Sequence, residues 1–205
     1  MAFKAVFLDL GGVIIQIDWA RPFEFVGVHD PRRRDELIAA AQGWTHFHLF
    51  ECGEISSDEF YASLNDWSGL KHSRDTWFQA WMSLIVGPLP DVDLIFDCLK
   101  GVVPIYALTN TNVDHMNYEL EKYPVMKRFD AIFASHEMGC RKPDVEMYLQ
   151  AARRAGVEPN EVLFVDDSEA NVLAARRAGF TAARTVNSVN ETLEFLTEHL
   201  PQLPR

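Results

Sequence analysis

Long apolar runs are missing from this chain of 205 residues. No stretch approaches the ~20 consecutive apolar residues of a membrane-spanning helix, and Met1 is not followed by a basic segment and a long apolar run. We therefore expect neither a membrane anchor nor a secretory leader. The length allows one α/β domain with an insertion, but not two large domains.

Cysteine is scarce as well. The chain has three cysteines, Cys52, Cys98 and Cys140, which lie far apart and are odd in number. They predict neither a disulfide framework nor a paired metal motif. Free thiols are typical of a reducing compartment, so we expect a cytoplasmic protein.

Basic residues are also in short supply, with 19 Lys and Arg against 30 Asp and Glu and a formal net charge of −11. This acidic balance argues against nucleic acid and membranes as partners. A site for a phosphorylated substrate would need local positive charge despite the negative charge of the whole protein. A metal ion and one lysine would supply it. Composition leaves both a monomer and a homodimer open.

Five short apolar runs predict buried parallel strands, at residues 3–10, 103–108, 131–134, 162–165 and 181–186. Helical patterns cover residues 90–99, 112–122, 143–155 and 168–178, and Pro143 is expected in a first helical turn. Strands that alternate with helices predict an α/β fold with a doubly wound parallel sheet. The last five residues, 201–205, are expected to fray.

The stretch between the first predicted strand and Pro88 breaks this alternation, because its patterns indicate helix rather than strand. Asp30 followed by Pro31 predicts a helix start, and the segment from Ser56 to Glu59 predicts a capping box. The chain's five tryptophans all fall here: Trp19, Trp44, Trp67, Trp77 and Trp81. They predict the core of a small bundle, a lid over the active edge of the sheet, or both.

Ligands of doubly wound sheets bind beyond the carboxyl ends of the strands, where the winding reverses. Polar residues at those ends are Asp9, Thr109, Asn110, Asp166 and Asp167. Asp9 is followed closely by Gly11 and Gly12, which permit a sharp turn and the close approach of a ligand. Its carboxylate could act as a nucleophile, as a metal ligand or as both. The alternative is a strand-end aspartate that caps a turn.

Asp166 and Asp167 are adjacent carboxylates at a buried strand end, where their charges repel each other. A hard cation such as Mg²⁺ would relieve this repulsion. If the first and fourth predicted strands are neighbours, Asp9 and Asp167 can share one ion. The alternative is an Asp turn with Ser168 as a helix cap.

Thr109 and Asn110 offer a hydroxyl, an amide and backbone N–H groups that can together bind phosphate oxygens. The same groups could instead satisfy a helix N-terminus. Lys142 provides a point charge suited to phosphate or to a carboxylate nucleophile, although a lone lysine is usually solvated surface.

In this order, the elements resemble the four sequence motifs of the haloacid dehalogenase (HAD) superfamily. The motifs are Asp9 within residues 7–13 (FLDLGGV), Thr109-Asn110, Arg141-Lys142-Pro143, and Asp166-Asp167 within residues 164–168 (FVDDS). Residues 51–56, 108–112 and 138–143 are similar to bacterial sugar-1-phosphate phosphatases of the glucose-1-phosphatase kind and to the N-terminal phosphatase domain of soluble epoxide hydrolases. The resemblance implies a Rossmann-like core of residues 1–15 and 88–205, with a helical cap of residues 16–87 inserted after the first strand.

The resemblance also implies a Mg²⁺-dependent phosphatase of a small phosphorylated metabolite, with a sugar phosphate as one candidate. Asp9 would form an aspartyl-phosphate. Its carboxylate, the Gly11 carbonyl, Asp167 and Asp166 would bind Mg²⁺. Thr109, Asn110 and Gly11 would contact the substrate, and Lys142 would neutralise charge on Asp9 and the phosphoryl group.

One position departs from the family pattern. Most phosphatases of this superfamily carry a second aspartate, a general acid/base, where this chain has Gly11. The candidate replacements are Asp18, His136, Asp114, His115 and the substrate's own hydroxyl, and Asn171 stands where many relatives carry another acid. Two other functions therefore stay open: a metal-free 2-haloacid dehalogenase and a non-catalytic binding protein with this fold.

Overall fold

A five-stranded parallel sheet forms the centre of the computed structural model, which describes residues 2–203. The strands within these residues are β1 (Ala5–Leu8), β2 (Ile15–Ile17), β3 (Ile85–Pro88), β4 (Ile105–Thr109), β5 (Ala131–Ala134), β6 (Val162–Asp166) and β7 (Thr181–Arg184). The order in the main sheet is β5-β4-β1-β6-β7, and every pair is parallel. The chain winds outward from β1 in both directions, so the predicted doubly wound sheet is confirmed.

Helices cover both faces of this sheet. They are α6 (Asp93–Leu99), α7 (Val113–Lys122), α8 (Ser135–Met138), α9 (Val145–Ala155), α10 (Glu169–Arg177) and α11 (Val189–His199). Alternate residues of β1 point to opposite faces, as the period of a strand requires. Val6 and Leu8 join an apolar cluster with α6, α7 and α11, while Ala5 and Phe7 join a second cluster with α9 and α10.

Five more helices occupy the insertion between β2 and β3. They are α1 (Ala20–Phe25), α2 (Pro31–Gln42), α3 (Thr45–Glu51), α4 (Ser57–Ser68) and α5 (Arg74–Met82). Both predicted helix starts are confirmed, because Asp30 accepts a hydrogen bond from the backbone of Arg32 and Ser56 forms a reciprocal capping box with Glu59. These helices share a third, aromatic-rich apolar cluster that includes Phe60, Trp77 and Trp81.

The strands β2 and β3 differ from the expectation that the stretch between the first strand and Pro88 is helix rather than strand. They pair antiparallel and connect the helical insertion to the core at both of its ends. They are three and four residues long, too short for an alternating pattern to be distinguished from the start of a helix.

Three smaller expectations also change. Pro143 precedes α9, which begins at Val145 because the Asp144 side chain caps it by accepting from the Glu146 N–H. Ser168 is the N-cap residue of α10, but its side chain makes no capping hydrogen bond. In the tail that was expected to fray, Leu203 is buried in the first apolar cluster; Met1, Pro204 and Arg205 lie outside the described residues.

Between residues 2 and 203, no helix is both long enough and apolar enough to cross a membrane.

Candidate active site

The carboxyl ends of β1, β4 and β6 lie side by side, because these strands are neighbours in the sheet. Asp9 directly follows β1, Thr109 ends β4 and Asp166 ends β6. The expected adjacency of the first and fourth predicted strands is therefore confirmed, with Phe7 opposite Phe164 in the register. The strand order brings the polar strand-end residues to one point of the sheet edge.

Lys142 lies at the centre of these residues and is only 1% exposed. Its Nζ donates to Asp166 Oδ2 at 2.6 Å and to the Leu108 carbonyl at 2.8 Å, and it lies 2.8 Å from Asp9 Oδ1. Burial alone lowers the pKa of Lys142, but the charges of Asp166 and Asp9 outweigh burial and raise it. The lysine is therefore a charged partner of two carboxylates at neutral pH.

The side chain of Asn110 holds the backbone of Lys142 in place. Its Oδ1 accepts from the Lys142 N–H and its Nδ2 donates to the Lys142 carbonyl, both at 2.8 Å. One Nδ2 hydrogen remains for a ligand. The neighbouring Thr109 is 3% exposed, and its hydroxyl makes no hydrogen bond within residues 2–203, so it too can donate to a ligand.

Three carboxylates gather around this lysine. Asp9, Asp166 and Asp167 each offer one oxygen, and the three oxygens lie within 4.8 Å of one another. Oδ1 of Asp166 accepts from the Ser168 N–H and from Asn171 Nδ2, both at 2.9 Å. Three carboxylates against one ammonium leave an excess of negative charge, and oxygen donors at this spacing fit a hard divalent cation.

The pKa values of these carboxylates show the same imbalance. Burial raises the pKa of Asp9 well above its usual range, although the charge of Lys142 opposes the shift. Burial, followed by the charge of Asp166, raises the pKa of Asp167. A bound cation would reverse both effects by stabilising the ionised forms.

Gly12 allows the turn after β1 to approach Asp167. Its φ is +74°, and a Cβ atom at this position would lie 2.5 Å from Asp167 Oδ2. Gly11 has a different neighbour, because a Cβ there would lie 3.2 Å from Cδ1 of Ile17. The space beside Gly11, where the family pattern places its second acid, thus adjoins an apolar side chain from β2.

A cavity of about 70 Å³ lies between the sheet edge and the helical insertion. Gly11, Thr109 and Asn110 line it from the core, and aromatic residues from the insertion complete its walls: Trp19, Phe47 and Trp81. Two buried carboxylic acids that are not among the predicted site residues, Glu51 and Glu119, also line this cavity.

Glu51 connects the insertion to the core through an ion pair of 2.8 Å between its Oε2 and Nε of Arg141. Burial raises the pKa of Glu51 to about 7, although Arg141 opposes the shift. The sequence signal for Glu51 is its place in the segment 51–56. Glu119 has no such signal, because it lies on a helix whose polar residues look like any solvated surface.

Of the four side chains predicted as replacement acids, only His115 lines the cavity. Its Nε2 donates to the Trp81 carbonyl at 3.0 Å, and burial lowers its pKa to about 4, so its ring is neutral at pH 7. Asp18 instead accepts from the Ala20 N–H, and Asp114 accepts from the Tyr61 hydroxyl at 2.9 Å. His136, the fourth, is absent from the cavity wall.

A sequence profile of haloacid dehalogenase-like hydrolases matches residues 3–179. The chain belongs to this family. It is 28% identical over 200 residues to a D-ribitol-5-phosphate phosphatase of Bacteroides thetaiotaomicron, covering 91% of this chain and 94% of that protein. It is 30% identical over 196 residues to a sesquiterpene phosphatase of Aspergillus oryzae, covering 94% of both. These names support the prediction of a phosphoric monoester hydrolase.

Solved structures agree with this family. A crystal structure of a HAD family enzyme from Bacteroides thetaiotaomicron, in complex with magnesium and inorganic phosphate, has a TM-score of 0.80 and 28% identity, and the match covers 94% of this chain and 99% of that one. An L-2-haloacid dehalogenase from Xanthobacter autotrophicus has a TM-score of 0.66 over 99% of this chain and 89% of that one, at 20% identity, and shows the fold alone.

Proposed function

We propose that this protein is a Mg²⁺-dependent phosphatase of a small phosphomonoester and that it works through an aspartyl-phosphate on Asp9. The observation that carries the proposal is the placement of Lys142. Its buried ammonium group contacts Asp9 and Asp166 at the point where three carboxylate oxygens could share one cation. The unpartnered Thr109 hydroxyl at the end of β4 is suited to a phosphoryl oxygen.

Magnesium would be held by Asp9, Asp167 and Asp166, with the Gly11 carbonyl as a further oxygen ligand. When bound, the ion supplies positive charge that stabilises the phosphoryl oxygens and keeps Asp9 ionised. The carboxylate cluster and the relative's magnesium complex support this assignment. A metal-free dehalogenase would leave the cluster with only Lys142 to balance it, which disfavours that alternative.

The chain's own residues suit nucleophilic attack by Asp9. Its Oδ1 accepts from the Leu10 N–H at 2.8 Å and pairs with Lys142, whereas Oδ2 accepts no hydrogen bond from residues 2–203. One carboxylate oxygen would form the bond to phosphorus as the bond to the ester oxygen breaks, and the ester oxygen would take a proton from water and leave as the alcohol. Water would then hydrolyse the aspartyl-phosphate, releasing inorganic phosphate and regenerating Asp9.

The substrate is proposed to be a small phosphorylated metabolite such as a sugar or polyol phosphate. The D-ribitol-5-phosphate phosphatase among the relatives supports this class. The net charge of −11 supports an activity without nucleic acid or a membrane, and the absence of cysteine pairs supports a cytoplasmic location. We further propose the β2–β3 pair as the boundary between the core and a helical cap.

The deciding experiment is hydrolysis of p-nitrophenyl phosphate and a panel of sugar phosphates with Mg²⁺, repeated in EDTA and with the variant Asp9→Asn. We expect turnover that EDTA and Asp9→Asn each abolish, while circular dichroism shows that the variant is folded. Asp66→Asn is a matched control, because Asp66 is an exposed residue of α4 that does not line the cavity. Halide release from 2-chloropropionate in EDTA would establish the dehalogenase instead, and turnover by Asp9→Asn would exclude Asp9 as the nucleophile.

A further inference from the structure

Glu119 is a buried carboxylic acid without a partner. It lies on α7, is 5% exposed, and its side chain makes no hydrogen bond or ion pair within the described part of the chain. Burial alone raises its pKa to about 8, so it is protonated at pH 7. A buried polar group left unpaired destabilises a protein, which calls for an explanation in function.

The cavity in front of Glu119 offers a second unpaired polar group. Trp81 lines the same cavity, and its indole N–H is buried without a hydrogen-bond partner. The surrounding wall includes the apolar side chains of Ile17, Leu84 and Ile85. A hydrocarbon ligand would leave the acid unpaired, whereas a hydroxyl group could both donate to it and accept from it.

The position of Glu119 along α7 suits a part of the substrate remote from phosphate. The helix starts beside Thr109 and Asn110, with Asn112 as its N-cap. Glu119 lies seven residues further on, which is about 10 Å along a helix axis at about 1.5 Å per residue. A phosphoryl group at Thr109 would therefore place the far end of a short carbon chain towards Glu119.

We propose that Glu119 binds a hydroxyl group of the substrate and thereby selects polyol or sugar phosphates over phosphates of hydrocarbon alcohols. The inference rests on the proposed phosphatase function and adds a specificity-determining residue to it. The cavity is small, about 70 Å³, and Glu119 and Trp81 share its wall with Thr109 and Asn110.

The test compares substrates that share a carbon count and differ in hydroxyl groups. The probes are D-ribitol 5-phosphate against pentyl phosphate, and glycerol 3-phosphate against propyl phosphate, with p-nitrophenyl phosphate as the general phosphatase assay. The proteins are wild type, Glu119→Leu, Glu119→Gln and the control Glu121→Leu, which changes an exposed acid on the same helix. Thermal unfolding establishes that each variant is folded.

We expect wild type to favour the polyol esters in kcat/KM by about 10²-fold or more, because a site built to bind a hydroxyl rejects analogues that lack it. Glu119→Leu should lose most of this ratio, mainly through KM, and Glu119→Gln should restore part of it because its amide still forms hydrogen bonds. Glu121→Leu should keep the wild-type ratio.

The experiment distinguishes a failure of the role of Glu119 from a failure of the proposed phosphatase function. If wild type hydrolyses p-nitrophenyl phosphate but does not favour either polyol ester, or if Glu119→Leu keeps the preference, the role of Glu119 is overturned and the phosphatase stands. If no phosphate ester is hydrolysed in Mg²⁺, the proposed function falls and the inference falls with it.

Discussion

The ammonium group of Lys142 is the residue-scale feature on which the site depends. It is buried against two acids and a backbone carbonyl, and Asn110 fixes its main chain from both sides. Removing one member of a buried charge cluster leaves the others uncompensated, which costs far more than the net contribution of the pair. Lys142 should therefore matter for folding as well as for phosphate binding.

We predict that Lys142→Met lowers the free energy of unfolding by about 3–5 kcal/mol in metal-free buffer, because Asp9 and Asp166 lose their cation. Urea denaturation in EDTA measures this change. Lys127→Met, at an exposed position, is the matched control and should change little. A loss below about 1 kcal/mol for Lys142→Met, the range of an exposed ion pair, would contradict the central role of this ammonium group.

Gly11 gives a second residue-scale prediction. We expect Gly11→Asp to keep Mg²⁺ binding, but its new side chain meets Cδ1 of Ile17. Combining it with Ile17→Ala should remove the contact between the introduced carboxyl group and Ile17. The kcat of the double variant should then rise, by up to the factor of about 10²–10⁴ that a general acid contributes. Kinetics with glycerol 3-phosphate and Mg²⁺ titration test this, with Ile17→Ala alone as the control. A double variant no faster than wild type would show that proton transfer does not limit the rate.

At the scale of elements, the contacts that hold the helical insertion against the core include four that involve polar or backbone groups. They are the Glu51–Arg141 ion pair, the Tyr61–Asp114 and His115–Trp81 hydrogen bonds, and the close approach of Gly53 to the carbonyl of His136. The last of these contacts requires a glycine at position 53 for two reasons. Gly53 has a φ of +69°, and a Cβ atom there would collide with that carbonyl oxygen.

We predict that Gly53→Ala destabilises the protein more than Gly69→Ala does. Both glycines have a left-handed backbone conformation, so an alanine at either position costs about 1–2 kcal/mol in backbone strain. Only Gly53→Ala adds a collision, since a Cβ at Gly69 meets nothing within 4 Å. Urea denaturation of the two variants isolates the difference. Equal losses would mean that the insertion moves away from His136 without cost.

Elements differ in how far the sequence predicts them. Buried parallel strands are continuous apolar runs, so β1 and β6 and the acids that end them stand out, and four ordered motifs place Asp9, Thr109, Lys142 and Asp166 together. The sequence does not predict the β2–β3 pair, because strands of a few residues are too short to show a periodic pattern. The sequence does not predict Glu119 as a site residue for a different reason. Its burial depends on the packing of α7 against the insertion, which no local sequence pattern encodes.

The free energy of unfolding of the whole molecule should depend on pH through the titration of Glu119. Its pKa is about 8 in the folded protein and near the ordinary value of 4.5 when unfolded. Below the unfolded pKa the acid is neutral in both states. As pH rises towards 8, the unfolded chain loses this proton first, so stability falls. At about 1.4 kcal/mol per pKa unit, the full shift is worth on the order of 4–5 kcal/mol.

We therefore predict that Glu119→Leu gains stability relative to wild type as pH rises from 5 to 8, by a few kcal/mol in the free energy of unfolding. Urea denaturation at several pH values measures the gap between the two proteins. Glu51 and His115, the other titratable side chains that share this cavity, are present in both proteins, so the comparison isolates Glu119. Glu121→Leu should show no such trend. A gap that stays constant from pH 5 to 8 would mean that Glu119 is ionised and paired in solution, and a neutral hydroxyl-binding acid would then be excluded.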